Sequence, residues 1–380
     1  MPKNLIEEVE LKHGAKLKNR IVMAPMLVMG CTDDGRVTPE VLDYYSYYSL
    51  RSNVAGMIIT SAAYIQENAK GMPNALAAYK DEDIEGLSKL AAAIKKDGSK
   101  AILQIYHTGR EALVAHEELG EAVAPSALDF PFLDYSPRAL TNTEIEEIIE
   151  NFGLATKRAI EAGFDGVEIH GANHYLIQQF FSKYSNRRND KWGGSLENRM
   201  RFPLRVVEEV KTVVEAYADD DFIIGYRISP EEIHDENIGY KVEAALALIK
   251  EVLDYDLDYI HLSLFGSTAL KPQDREESFA ELFEDLIQKE DPDSKLIVVG
   301  GVFNEEDAKK GIKYADLVAI GRAALLDPEF ALKISQGRAD EINQALSPEL
   351  HKKLAWPQQL TDLFKSGFPG LPEMPGIDTI

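Results

Sequence analysis

Residues 165–181 read DGVEIHGANHYLIQQFF: an apolar run ends in His170, a small turn carries Asn173 and Tyr175, and a helical pattern follows. A strand that hands over to a helix is the repeating unit of parallel α/β folds, and polar side chains at the strand's C-terminal mouth are where such folds build active sites. An imidazole, a carboxamide and a phenol gathered there form a set able to grip an oxyanion and deliver a proton.

Outward from this stretch, similar aliphatic runs occur at 21–24, 56–60, 101–105, 222–228, 259–264, 296–299 and 316–320, making eight in all with 165–170. Amphipathic segments at 83–96, 143–162, 196–217, 242–254, 278–288 and 304–313 lie between them. Near-continuous apolar strands signal burial on both faces, as in an all-parallel sheet. The count of eight, with no Gly-x-Gly-x-x-Gly turn after the first strand, favours a (β/α)8 TIM barrel over an open doubly wound sheet. Two long connections, 108–142 and 182–196, are expected to be extended βα loops that act as lids or substrate loops. The expected organisation is a barrel over 1–345 and a C-terminal helix or tail over 346–380. That tail ends in GFPGLPEMPGIDTI, whose prolines and glycines oppose regular structure, and its expected place is on the barrel or on a neighbouring subunit of a homo-oligomer.

Lys and Arg number 41 against 64 Asp and Glu, a formal charge of −23, which repels phosphate polymers and anionic lipid and argues against nucleic-acid or membrane partners. The single cysteine, Cys31, excludes an intrachain disulfide and a thiolate-built metal site, and no metal is assigned. No run of about 20 apolar residues occurs and the first residues are acidic, so a soluble, cytoplasmic protein acting on a small molecule is expected.

Further polar residues sit at strand ends. Gln104 in AILQIYHTGR presents a donor and an acceptor together, suited to the N–H/C=O edge of a heterocycle and equally to a satisfied barrel interior. Arg227 in FIIGYRIS cannot shed its charge and requires an anion or an electron-rich partner, with a buried salt bridge as the plain alternative. Gly300 and Gly301 follow the seventh strand, and Gly321 and Arg322 follow the eighth. Backbone bared by glycine at those two loops is a common phosphate site of such barrels, which points to a phosphorylated ligand. Taken singly, His170 is as readily a core histidine, Asn173 a helix cap and Tyr175 a packed phenol. Their convergence within six residues favours chemistry.

These residues resemble the Old Yellow Enzyme family of FMN-dependent ene-reductases. The resemblance is carried by HGANHYLIQQFFS (170–182) and SNRRNDKWGGSLENRMRF (185–202), with KNRIVMAPM, QIYHTGR, APSA, GYRIS and VAIGRAALLDP in support. It implies an FMN across the top of the barrel. Pro25, Met26 and Ala62 would line the isoalloxazine, with Leu27 beside its O4 and N5, where family members often carry cysteine or threonine. Gln104 would bond the pyrimidine edge, Arg227 would stabilise the anionic reduced ring, and Gly300, Gly301, Gly321 and Arg322 would hold the phosphate. The implied reaction is ping-pong: NADH or NADPH delivers hydride to flavin N5, and the reduced flavin passes it to the β-carbon of an α,β-unsaturated carbonyl, with quinones as related acceptors. His170 and Asn173 would bind the carbonyl oxygen and Tyr175 would donate the proton. Lys183 and Tyr184 replace a proline-containing segment of the family, so a differently shaped mouth is expected. With one cysteine and no room after residue 345, the larger iron–sulfur form of the family is not expected. Two other readings stand beside this one: a cofactor-free barrel isomerase or aldolase acting on a phosphorylated small molecule, and a flavin binder that has lost catalysis.

Overall fold

The computed structural model describes residues 3–50, 55–367 and 371–380. Eight parallel strands form the barrel: β1 (Ile21–Met23), β2 (Met57–Ile59), β3 (Lys100–Tyr106), β4 (Gly166–Gly171), β5 (Ile223–Ile228), β6 (Tyr259–Ser263), β7 (Lys295–Val299) and β8 (Leu317–Ile320). Each pairs with its neighbour in sequence, and β8 returns to β1 through Val318, Ala319 and Ile320 opposite Ile21, Val22 and Met23, which closes the cylinder. The (β/α)8 expectation holds, with every strand within one residue of its expected bounds.

The interior is filled by side chains. Ile59, Ile102, Ile223, Tyr259, Ile297 and Leu317 pack in one buried cluster. Tyr259 lies so close to β5 that a Cβ on Gly225 would meet its ring at 2.0 Å, so glycine is the residue that lets the large phenol into the barrel. The outer layer includes α1 (Pro39–Leu50), α2 (Ile84–Lys95), α3 (Asn142–Glu161), α4 (Leu196–Tyr217), α5 (Val242–Leu253), α6 (Phe279–Glu290) and α7 (Glu305–Gly311). Thr141 and Ser278 start α3 and α6 as capping boxes with Glu144 and Glu281, a signal local to the sequence. No helix among the described residues is long and apolar enough to cross a membrane.

Two features differ from the sequence expectations. Helix α1 was not among the expected segments, although Thr38, whose hydroxyl accepts from the Val41 N–H, and Pro39 are start signals. The long connections are partly ordered: 108–142 holds a short helix (Leu113–Leu119) and a pairing of Val123–Ala124 with Arg138–Ala139. The segment from residue 346 contains helices at Pro348–His351 and Gln358–Lys365, ahead of the Pro/Gly-rich end, where the described residues hold one 3-10 turn at Ile377–Thr379. It lies on the barrel's own helices, with Leu346, Leu360 and Met374 buried in the main core and Trp356 Nε1 donating to the Leu325 carbonyl at 3.2 Å. Residues 368–370 of its GFPG stretch lie outside the described residues.

An N-terminal hairpin, Val9–Glu10 with Lys16–Leu17, packs Val9, Leu11, Ala15 and Leu17 against the interior cluster. The turn is clamped by Asp258, fully buried, which accepts from the Ile224 N–H at 2.9 Å and contacts His13 Nδ1 at 3.1 Å. Asp256 contacts His13 Nε2 at 3.0 Å. The hydrogen bond to Asp258, then that to Asp256, raises the His13 pKa from 6.5 to about 8 against the effect of burial. A raised folded-state pKa means a stabilising term complete below about pH 6.5 and lost as pH rises through about 8. We expect it to be about 1 kcal/mol after discount for solvent screening. The melting temperature of His13→Gln should therefore lack the decline that the parent shows across this window; parallel profiles would reject the clamp.

Candidate functional site

At the C-terminal mouth of the barrel, register places polar residues of adjacent strands side by side. Gln104 of β3 stands opposite Glu168 of β4, and Arg227 of β5 stands between His170 of β4 and His261 of β6. Glu168 is fully buried. It accepts from Gln104 Nε2 at 2.6 Å and lies 2.8 Å from His261 Nδ1, which therefore carries the ring proton. Burial opposes the Glu168 charge, but His261, Arg227 and Gln104 outweigh it and hold the carboxyl below its usual pKa. A carboxamide keeps a second N–H and its carbonyl oxygen after the bond to Glu168. Arg227 donates from Nη2 to Ser263 Oγ at 3.1 Å, while its Nε is buried without a protein partner among the described residues.

The chain of bonds continues from Ser263 Oγ to Asn173 Oδ1 at 2.9 Å, and the Asn173 N–H donates to Ser229 Oγ at 3.0 Å. With its carbonyl occupied, Asn173 is left with its NH2 as the group to offer a ligand. His170 is similarly fixed: its Nδ1 accepts from the Ala172 N–H at 3.2 Å, so the neutral ring carries its proton on Nε2. Burial first, then Arg227 and His261, push the His170 pKa well below 6.5, which keeps it a neutral donor. Tyr175 caps this corner, its ring edge-on to both His170 and Tyr106 with centroids 5.0 Å away in each case. Burial raises the Tyr175 phenol to about 12, so it is protonated throughout the neutral range.

These donors are presented by a strained turn. Asn173 (φ 57°) and His174 (φ 65°) are consecutive left-handed residues, which the Tyr175 N–H closes by donating to the Ala172 carbonyl at 3.3 Å. The short helix Leu176–Phe181 holds the turn, since Gln178 Oε1 accepts from the His174 N–H at 3.0 Å and Gln179 Nε2 donates to the His174 carbonyl at 2.6 Å.

The remaining expected residues ring the same mouth. Pro25, Met26 and Leu27 follow β1 half-buried, and Ala62 follows β2 at 7% exposure. A Cβ added to Gly321 would sit 3.6 Å from Met26 Sδ, so the exits of β1 and β8 meet. Gly300 (φ 154°) and Gly301 (φ 62°) follow β7. Gly301 abuts the loop after β6 so tightly that a Cβ would lie 2.0 Å from the Gly266 carbonyl oxygen. Arg322 departs from the simple expectation: it donates to the Glu373 carbonyl of the tail and lies over the Phe303 ring, 4.9 Å from its centroid. Cys31 is buried, and burial pushes its thiol up to about 12. Lys183 and Tyr184 line, with Arg187, Glu236, Asn237 and Ile238, an open cleft of about 250 Å³. Glu168, His261, Ser263 and Tyr106 are the members that sequence reading did not place.

Comparison with known proteins decides the family. The model of the NADH:flavin oxidoreductase / NADH oxidase family matches residues 4–341. The chain belongs to this family, that of the Old Yellow Enzymes. It is 40% identical over 361 residues to the probable NADH-dependent flavin oxidoreductase YqiG of Bacillus subtilis, covering 94% of this chain and 95% of the relative. It is 43% identical over 340 residues to the NADH:acrylate oxidoreductase of Vibrio harveyi, where the match takes in 87% of this chain and only 33% of the relative. The chain thus spans about a third of that larger protein. Morphinone reductase in complex with tetrahydroNAD superposes with a TM-score of 0.76 at 28% identity over 93% of this chain and 97% of the other. Members of this family are described as NADH:flavin oxidoreductases and NADH oxidases, with FMN as the flavin.

The residues present fit that cofactor. Arg227 offers an orphaned buried N–H, Gln104 an amide edge, and the glycine turns bare backbone. Gly301→Ala, which adds both left-handed strain and the clash with Gly266, is expected to cost about 1–3 kcal/mol and to weaken FMN retention at least roughly tenfold. Gly120→Ala, also left-handed (φ 79°) but with open space around it, supplies the control with strain alone. Equal FMN affinity by fluorescence titration in both variants would remove the Gly301 turn from the cofactor site.

Proposed function

We propose that this barrel reduces the C=C bond of α,β-unsaturated carbonyl compounds, or related acceptors such as quinones, with electrons from NAD(P)H. The observation that carries the reading is the set of three donors at one strand mouth with every competing role removed. Neutral His170 has its Nδ1 occupied by the Ala172 N–H, Asn173 has its carbonyl occupied by Ser263, and Tyr175 is protonated. When bound, FMN supplies the two-electron chemistry that links nicotinamide oxidation to reduction of the acceptor.

The chain's own residues supply the rest. Nε2–H of His170 and the Asn173 NH2 donate to the acceptor's carbonyl oxygen, and both bonds strengthen as that oxygen gains negative charge. Because neither group titrates near neutrality, the grip survives changes of pH there. The Tyr175 hydroxyl delivers a proton to the α-carbon and regains one from solvent. Arg227 places a fixed positive charge where the pyrimidine edge of the cofactor would lie, and Gln104 would bond that edge. Pro25, Met26, Leu27 and Ala62 would line its ring, and Gly300, Gly301, Gly321 and Arg322 would hold its phosphate. The relative named for acrylate, a conjugated acid, supports the acceptor class.

Tyr175→Phe is expected to leave reduction by NAD(P)H within about twofold while slowing alkene reduction by about 100-fold or more, as read by stopped-flow absorbance of each half-reaction. Equal losses in both would misassign the proton donor. His170→Ala and Asn173→Ala should each weaken the long-wavelength charge-transfer band formed with a phenolate, and an unchanged band would contradict the oxyanion grip. A colourless preparation that ignores added FMN would return the barrel to the isomerase or aldolase reading.

A further inference from the structure

Beside the turn that presents Asn173 and Tyr175, three ligating side chains meet that the reaction above does not use. His174, on the turn itself, and Glu232 and His234, on the hairpin that follows β5, bring one imidazole nitrogen each and a carboxylate oxygen within 4.8 Å of one another. His234 Nε2 lies 3.2 Å from Glu232 Oε1, and His174 Nδ1 lies 4.0 Å from the same oxygen.

The lone pairs can be assigned. Gln178 Oε1 accepts from the His174 backbone N–H at 3.0 Å, which turns the Gln178 NH2 toward His174 Nδ1 at 3.4 Å and Glu232 Oε2 at 3.3 Å. His174 Nδ1 therefore faces Glu232 as an acceptor, the ligating tautomer, and two electron-rich atoms confront each other across 4.0 Å. The carboxylate needs a cation: Glu232 is 2% exposed, and no lysine or arginine nitrogen lies within 4.0 Å of it among the described residues. Its other hydrogen-bonding neighbours, Gln178 and Ser182, are neutral, and Arg110 adds a positive field from beyond ion-pair distance. Ligands bound to zinc at about 2.0–2.1 Å in tetrahedral array lie about 3.3 Å apart. The His234–Glu232 edge already has that length, the His174–Glu232 edge exceeds it by under about 1 Å, and the His174–His234 edge by at most about 1.5 Å. The histidine side chains are 39% and 36% exposed, so solvent reaches the remaining coordination positions.

We propose that His174, Glu232 and His234 bind a divalent transition-metal ion of the zinc type, tying the donor turn after β4 to the hairpin after β5. Two imidazoles and one carboxylate select such an ion over magnesium or calcium, which prefer oxygen ligands alone. The site is independent of the acceptor class and of the proton donor.

The test uses the FMN-loaded protein, stripped of metal with a chelator and titrated with zinc chloride by calorimetry, with metal content read by mass spectrometry after desalting. One zinc per chain is expected, with a rise in melting temperature on the order of 3 °C at a hundredfold excess over Kd. His234→Ala and the double variant His174→Ala/His234→Ala should bind at least about tenfold more weakly, as should Glu232→Gln where it folds. Zinc binding that is absent in the parent, or equal in the parent and the double variant, overturns the proposal and leaves the three groups as a local ion pair.

Discussion

The mouth of this barrel depends on one buried negative charge. A carboxylate moved out of water costs several kcal/mol unless it is paired and hydrogen-bonded. Glu168 is satisfied from both flanks, by the Gln104 amide at 2.6 Å and the His261 imidazole at 2.8 Å. It also supplies the field that makes a buried Arg227 tolerable without touching it, since no carboxylate oxygen lies within 4.0 Å of that guanidinium among the described residues. A direct bidentate pair would consume the fork of donors. Countercharge at a distance instead leaves Arg227 one bond to Ser263 and an Nε free for a ligand. A single carboxylate on β4 thereby orients an amide on β3 and an imidazole on β6 and offsets the charge of a guanidinium on β5.

The second constraint is backbone strain at Asn173 and His174. Two adjacent left-handed residues without glycine cost about 1–3 kcal/mol each, and the structure meets that cost with a short, wholly buried helix. Gln178 and Gln179 bind the two sides of the His174 peptide. Gln179 also accepts from the Arg110 N–H at 3.1 Å and abuts Gly109, where a Cβ would lie 2.3 Å from its Oε1. The exits of β3 and β4 are thus fastened together by one side chain, and Tyr175 is held against Tyr106 on a rigid base rather than on a free loop.

How far this was legible in the sequence follows from where each signal lies. Strands buried on both faces write their bounds into local composition, so all eight were placed to within a residue. Helix α1 was missed because DYYSYYS is rich in residues that favour strands as much as helices, although Thr38 and Pro39 gave a start signal. The N-terminal hairpin was legible in principle: Val9 and Leu11 alternate with polar residues and Gly14 turns the chain, but its acidity drew the reading instead. His170, Asn173 and Tyr175 were found because they are neighbours in sequence. Glu168 was visible as a carboxylate in an apolar run, yet its partners lie 64 and 93 residues away, and only closure of the barrel joins them. The same holds for His174 and His234, which no local pattern connects.

Arg322 shows the limit of assigning a role by position along a strand. Its place after β8 predicts a free guanidinium facing an anion, but the tail reaches back and takes one of its donors through the Glu373 carbonyl. That reach is fixed, not incidental: Met374 is fully buried, and Gly376 (φ 79°) approaches Leu346 so closely that a Cβ would lie 2.4 Å from its carbonyl oxygen. A guanidinium has five N–H donors in a planar fork, so one bond to a carbonyl orients the plane and leaves the others to meet an anion. Stacked over Phe303 on one side and bonded to the tail on the other, Arg322 cannot swing into solvent as a lone surface arginine would. The corner around Arg322 is therefore built from two remote parts of the chain, the β8 exit and residues 371–380, and the tail walls this corner as well as covering the core.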